Sequence, residues 1–257
     1  MRVSIIGAGN VATNLALALK KAGHEIVQIY NRSNDAGEEL AHTVGAAFTA
    51  HADELLEAEV YLVAVKDDVI FDVASQLKLE GRIVAHTSGT QTKEQLKGSN
   101  GTVGVFYPLQ TMKKNQKVDF KNVPLLVEGA DDKTTRVLER LARTISDNVH
   151  RVDGVQRQWI HVAAVFANNF TNHLYGISES LLLGHGLAFD ILKPLIFQSV
   201  MNLQERSPKD LQTGPAMRGD AQTIEKHLLL LGDDTRLKQI YDILTQSIIA
   251  TASQNHK

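Results

Sequence analysis

The 257-residue chain has no cysteine, one tryptophan and five prolines, and its acidic and basic residues nearly cancel. Without cysteine there is no disulfide, no thiol nucleophile and no thiolate metal site. With 27 basic and 29 acidic residues the formal charge is -2, and there is no basic run, so no overall field draws the chain to nucleic acid or to an anionic membrane. No apolar stretch approaches the roughly 18 residues of a membrane span. An apolar strand starts within two residues of Met1, which leaves no room for a cleavable signal, and the expectation is a cytoplasmic protein. At this length two ordinary domains are expected rather than one large one.

What the sequence does have is concentrated at its start. The apolar run Val3-Ser4-Ile5-Ile6 reads as a short buried strand, and Gly7-Ala8-Gly9-Asn10-Val11-Ala12 follows it with the spacing G-x-G-x-x-A. The first glycine permits a tight turn, the second a side-chain-free approach for a pyrophosphate, and the small sixth residue close helix-strand packing. The helix that begins there points free N–H groups and the positive end of its dipole at an anion. Val11, Leu15, Ala18 and Leu19 keep helical spacing up to Gly23, and residues 25–30 form a second strand that ends in Asn31-Arg32-Ser33. An NAD site would place Asp or Glu at that strand end to hold the ribose 2′-hydroxyl. Here an acid is absent and Arg32 can bind a 2′-phosphate through charge-assisted hydrogen bonds, so the residues predict NADP(H) over NAD(H).

Up to about residue 150, further apolar runs at 46–48, 60–65, 83–85, 102–106 and 125–127 read as strands of a mainly parallel sheet, with helices expected at 53–59, 69–77 and 131–146. Beyond Asp153 the strand signals stop. Trp159, Val162, Ala163, Phe166, Phe170, Leu174, Ile177 and Leu181 fall at the spacing of one long helix, and further helices are expected at 189–205, 221–231 and 235–253, with a loop at 207–220. The expected class is α/β, a dinucleotide-binding Rossmann domain at 1–152 joined to an all-α domain at 153–257.

In open parallel sheets ligands bind beyond the carboxyl ends of the strands, which selects the residues that follow each strand. Val65-Lys66-Asp67-Asp68 reads as a cofactor approach or, in preference, as helix capping by its acidic pair. His86-Thr87-Ser88-Gly89 is a substrate or nicotinamide contact, or a turn, and Tyr107-Pro108 is the mouth of the same cleft or a proline turn. On the long helix His161, Asn168 and Asn172 share a narrow arc flanked by Asn169 and His173, a polar stripe on an apolar element. Buried amides without partners cost about 1–3 kcal/mol each, so the stripe calls for a cleft or for bonds to neighbours. Two histidines beside one acid do not make a metal site, and none is expected. Arg218 can grip a substrate carboxylate, and Asp220 is the expected N-cap of the next helix.

Taken together, Gly7–Ala12, Asn31-Arg32-Ser33, Val65–Asp68, His86–Gly89, Pro108-Leu109-Gln110, Phe166–Phe170 and Gly214–Asp220 resemble the Rossmann-like proteins with a DUF2520 helical domain, labelled NADP or F420-dependent oxidoreductases. More widely, the chain is similar to the β-hydroxyacid dehydrogenases, pyrroline-carboxylate reductase and ketopantoate reductase. The resemblance implies a cofactor domain joined to a helical domain that supplies substrate groups and a homodimer interface. It departs in two places: relatives carry His before Pro-Leu where this chain has Tyr107, and no lysine lies between Val155 and Leu192 to act as in β-hydroxyacid dehydrogenases.

The expectation is NADP(H)-dependent hydride transfer to or from a small carbonyl or imine compound in an interdomain cleft. Gly7, Ala8, Gly9, Asn10, Val11, Asn31, Arg32, Ser33, Val65 and His86 would hold the cofactor. His161 or His173 would supply the proton, Asn169 or Asn172 would polarise the substrate, and Ser88, Tyr107, Asn168 and Arg218 would complete the pocket. Alternatives are a ketopantoate-reductase-like enzyme and a nonenzymatic NADP(H) sensor; Arg32 argues against F420.

Overall fold

The computed structural model describes residues 1–114 and 116–254. Its eight strands are β1 (Arg2–Ile6), β2 (Glu25–Tyr30), β3 (Ala47–Thr49), β4 (Val60–Val63), β5 (Ile83–His86), β6 (Thr102–Pro108), β7 (Leu125–Gly129) and β8 (Val149–Arg151). They form one sheet in the order β3-β2-β1-β4-β5-β6-β7-β8, whose first six positions have the doubly wound dinucleotide-binding order. Among the described residues, only β6 and β7 pair antiparallel.

Strand alternation sends Val3 and Ile5 to one face, where α1 (Asn10–Lys21), α2 (Asn34–Val44) and α4 (Asp132–Arg143) cover them with Leu15, Leu40 and Leu138. Ile6, Tyr61 and Val63 face the other way, under Ile70 and Val73 of the short α3 (Ile70–Ala74) and Leu96 of a 3-10 turn at Lys93–Ser99. Burial on both faces explains the near-continuous apolar runs of the central strands.

After β8 come α5 (Gly154–Ala164), a π-helical stretch at Val165–Phe170, α6 (Thr171–Leu183), a 3-10 turn at Phe189–Leu192, α7 (Lys193–Asn202), α8 (Pro208–Leu211), α9 (Pro215–Arg218), α10 (Ala221–Leu230) and α11 (Thr235–Gln254). The chain packs as two compact units, Met1–His173 and Leu174–Lys257, so α5 goes with the sheet, whereas the sequence reading divides the domains before it.

Several expected elements are corrected. The helix expected at 53–59 is only a 3-10 turn at Ala52–Glu54. There Gln28 accepts from Leu56 N and donates to the Glu54 carbonyl, while Tyr61 donates to the Leu56 carbonyl and accepts from Ala58 N; one side chain from β2 and one from the start of β4 satisfy this backbone in place of helical bonds. The helix at 69–77 shrinks to α3 with a 3-10 lead-in. The 207–220 loop contains α8 and α9, each opened by a proline. Neither α2 nor β8 is anticipated, and β8 has just three residues.

Candidate active site

The phosphate side of the site is built by backbone. Gly7 has φ 111°, a left-handed conformation that favours glycine, and a Cβ there would collide with the carbonyl oxygen of Ala64, the residue that follows the neighbouring strand β4. Its N–H donates to the Tyr30 carbonyl at 2.7 Å, which locks the turn to β2. Gly9 is the N-cap of α1 with no side-chain cap, and a Cβ on it would meet nothing within 4 Å. The helix therefore starts under open space with its first N–H groups free of side-chain acceptors, a cradle that fits a pyrophosphate. The buried Ala8 and Ala12 pack into the core, Ala12 at the close approach of α1 to the sheet.

Asn10 turns its side chain elsewhere: Oδ1 accepts from Lys114 N at 3.1 Å, and Asn14 Nδ2 donates to the Lys113 carbonyl at 3.3 Å, which ties the segment after β6 to α1. At the end of β2, Asn31 Nδ2 donates to the Ser33 carbonyl at 2.7 Å and shapes the turn, while Arg32 is exposed and in no ion pair among the described residues. Its guanidinium is free to meet a 2′-phosphate. Val65 lies against Gly7, half-buried.

The second group of predicted residues gathers at the ends of β4, β5 and β6. His86, the last residue of β5, is wholly enclosed. Its Nδ1 accepts from Ser88 N at 3.1 Å, which assigns the proton of the neutral ring to Nε2. Burial, and then the Arg157 cation, lower this ring to about 4, with the Thr92 backbone, Asp67 and Glu128 pulling the other way. The ring is sealed in the protein, where it shapes the loop after β5.

Ser88 also takes a supporting part. Its hydroxyl donates to Asp67 Oδ2 at 2.7 Å and accepts from Thr90 N and Gln91 N at 3.1 and 3.0 Å, and Thr90 Oγ1 donates to the same carboxylate oxygen at 2.7 Å. Asp67 thus joins the loop after β4 to the loop after β5 and caps no helix, which corrects the capping expectation.

Two residues that the sequence singles out separately do meet. Tyr107 Oη lies 2.9 Å from His161 Nδ1, although they are 54 residues apart, and both are half-buried. Burial and then the Asp67 carboxylate push the phenol up to about 12, against the pull of Arg157. Asn168, in the π-helical stretch, donates to Thr111 Oγ1 at 2.9 Å and holds the segment after Pro108. Asn169, Asn172 and His173 are exposed and make no bond to this group. Arg218 is exposed on α9 in the second unit, and Asp220 caps α10 through Thr223 N at 3.1 Å, as expected.

The fully buried Arg157 escapes the sequence reading. From α5 it pairs with Glu128 of β7, which also pairs with Lys93, and it donates to the Gln91 carbonyl. A capping box of Asp153 and Gln156 starts that helix, and Gln158 donates to the Thr90 carbonyl at 2.9 Å. An arginine one turn into an amphipathic helix reads as a solvated charge, and nothing in the sequence marks it as core. Among the described residues there is no cluster that would hold a metal ion and no helix long and apolar enough to cross a membrane.

Sheet order, glycine turn and open helix start together define a dinucleotide-binding protein of the Rossmann class. Residues 2–88 match the family described as NADP oxidoreductase, coenzyme F420-dependent, and residues 123–248 match DUF2520, a domain of unknown function. The crystal structure of a putative NADP oxidoreductase from Bacteroides fragilis is 38% identical over 97% of this chain and 98% of its own, with a TM-score of 0.88. A Thermotoga maritima protein shares the fold at 23% identity, 99% and 100% coverage and a TM-score of 0.76. A pyrroline-5-carboxylate reductase from Coxiella burnetii does so at 18% identity, 98% and 97% coverage and a TM-score of 0.60. No curated protein matches. The chain belongs to the NADP oxidoreductase family that carries a DUF2520 region, and the residues at Gly7, Gly9 and Arg32 fit that family's cofactor.

Proposed function

We propose that the protein transfers hydride between NADP(H) and a small carbonyl or imine compound at the carboxyl ends of β1, β4, β5 and β6. Bound NADPH supplies the hydride chemistry; the protein binds, orients and excludes water. The α1 start and Gly9 hold the pyrophosphate, and Arg32 holds the 2′-phosphate. The observation that carries the reading is the Tyr107–His161 pair on the sheet edge that also holds the Gly9 cradle. The two strands between them in the order, β4 and β5, leave β6 three places from β1, about 14 Å at the usual strand spacing, a distance that a dinucleotide spans. The nicotinamide end then reaches an exchangeable proton while the phosphates stay on α1. Asn169, Asn172 and His173 are exposed polar groups of the helical stretch after His161 and can orient a substrate.

We also propose that the working form is a homodimer. In the second unit α6, α7 and α10 bury none of their residues, and Leu195, Phe197, Val200, Leu229 and Leu230 are exposed. Large apolar side chains left exposed in this number favour an interface that covers them.

The first test is titration of the protein with NADPH and NADH, followed by nicotinamide fluorescence, and the same for Arg32→Ala. The expected result is preference for NADPH, with Arg32→Ala weakening NADPH by about tenfold or more and leaving NADH unchanged, as loss of one charged hydrogen-bonded partner implies. If neither nucleotide binds, the proposal falls.

A further inference from the structure

Resting on the hydride-transfer reading, we propose that Tyr107 is the proton donor to the reduced substrate atom, that His161 reloads it, and that the pair serves a carbonyl oxygen rather than an imine nitrogen. At the ends of β5 and β6 the other candidate donors are already committed. His86 is sealed, the Ser88 hydroxyl proton goes to Asp67, and so does that of Thr90. Tyr107 and His161 remain half-open and bonded to each other at 2.9 Å, with ring centres 6.0 Å apart and planes tilted by 60°, so they meet through the hydrogen bond and not by stacking.

The loop is shaped around this pair. A Cβ on Gly89 would lie 2.5 Å from His161 Nδ1 and 2.8 Å from Tyr107 Cζ, so any larger residue would wedge the two rings apart. The glycine that reads as a simple turn residue is the one that admits the contact. Asp67 from the loop after β4 and Arg157 from α5 face the phenol, with Glu128 of β7 behind Arg157.

The chemistry balances without any further reagent. The carbonyl carbon accepts hydride, the π pair moves to oxygen, and that oxygen takes the Tyr107 Oη proton. The phenolate oxygen then takes the Nδ1 proton of protonated His161, and the neutral ring regains a proton from water; carbonyl, hydride and one solvent proton leave as an alcohol. A phenol pushed up to about 12 keeps its proton until a strong base forms beside it. A nascent alkoxide is such a base. An imine nitrogen must instead be protonated before hydride arrives, which so weak an acid does not do.

The experiment uses the full chain with NADPH and a panel of small aldehydes, ketones and cyclic imines, and compares it with Tyr107→Phe, His161→Asn and Gly89→Ala. Carbonyls should be the substrates. Tyr107→Phe should lower kcat by about 10²- to 10⁴-fold, the usual contribution of a positioned general acid, with KM and NADPH affinity nearly unchanged. His161→Asn should lower kcat by slowing the reloading of Tyr107, and Gly89→Ala should lower kcat with the glycine turn and NADPH binding intact. A readout that needs no turnover is the nitrogen NMR resonance of His161 Nδ1, which should move in Tyr107→Phe as its hydrogen-bond partner is lost. Wild-type kcat in Tyr107→Phe, an unmoved His161 Nδ1 resonance, or turnover of imines alone overturns the proton-donor assignment and leaves the hydride-transfer reading standing. NADPH binding followed by no oxidation with either class overturns both.

Discussion

His86 sets a pH limit on the fold through a single side chain. In the unfolded chain an imidazole takes up its proton near pH 6.5, whereas the enclosed ring in the folded protein resists until about 4. Between those values the unfolded state binds more protons, so stability rises with pH across the window and is lost as pH falls from about 6.5 through about 4. The whole window is worth roughly 3 kcal/mol. The groups that face the ring are Arg157 on α5, Glu128 on β7, Asp67 after β4 and the Thr92 backbone, of which Arg157 strengthens the effect and the others oppose it. Urea unfolding at about pH 7 and about pH 5 should show the wild type losing more stability than His86→Gln. Parallel losses would remove His86 as the cause.

At the scale of elements, β7 and α5 are clasped by Arg157 and Glu128. Breaking such a pair on one side leaves an uncompensated buried charge and costs about 3–5 kcal/mol, whereas replacing both partners by apolar groups is often neutral. Arg157→Met should therefore lower unfolding stability by about that amount, and Arg157→Met with Glu128→Leu should regain most of it, since Lys93 can turn to solvent. Equal stability of the single and double variants would refute the clasp. The same element shows what is legible in the sequence. Central strands are legible because burial on both faces writes apolar runs, and α1 because its glycine turn and helical spacing coincide. The 53–59 segment is misread because side-chain bonds settle its backbone, those of Gln28 reaching it from a strand remote in sequence and those of Tyr61 from just beyond its end. The Tyr107–His161 contact is illegible for a related reason: each residue is conspicuous in its own segment, but only β6 and α5 packed together bring them into reach. The long helix is legible as apolar spacing, while its π-helical stretch, which adds residues per turn at Val165–Phe170, leaves no mark in that pattern.

For the whole molecule, a net charge of -2 puts little repulsion between copies, and the exposed apolar side chains of the second unit, Leu230 at 81% and Phe197 at 66% among them, need a cover. Light scattering should give twice the chain mass, and Phe197→Glu with Leu230→Glu should shift it to the single-chain value; a wild-type monomer would contradict the dimer. The uncapped start of α1 has a further consequence. A ligand that satisfies those N–H groups in the folded chain alone adds to its stability with concentration, about 1.4 kcal/mol for each tenfold rise once the site is nearly full. The amount of this protein that survives proteolysis in a cell should therefore rise with the supply of the nucleotide that fills this cradle.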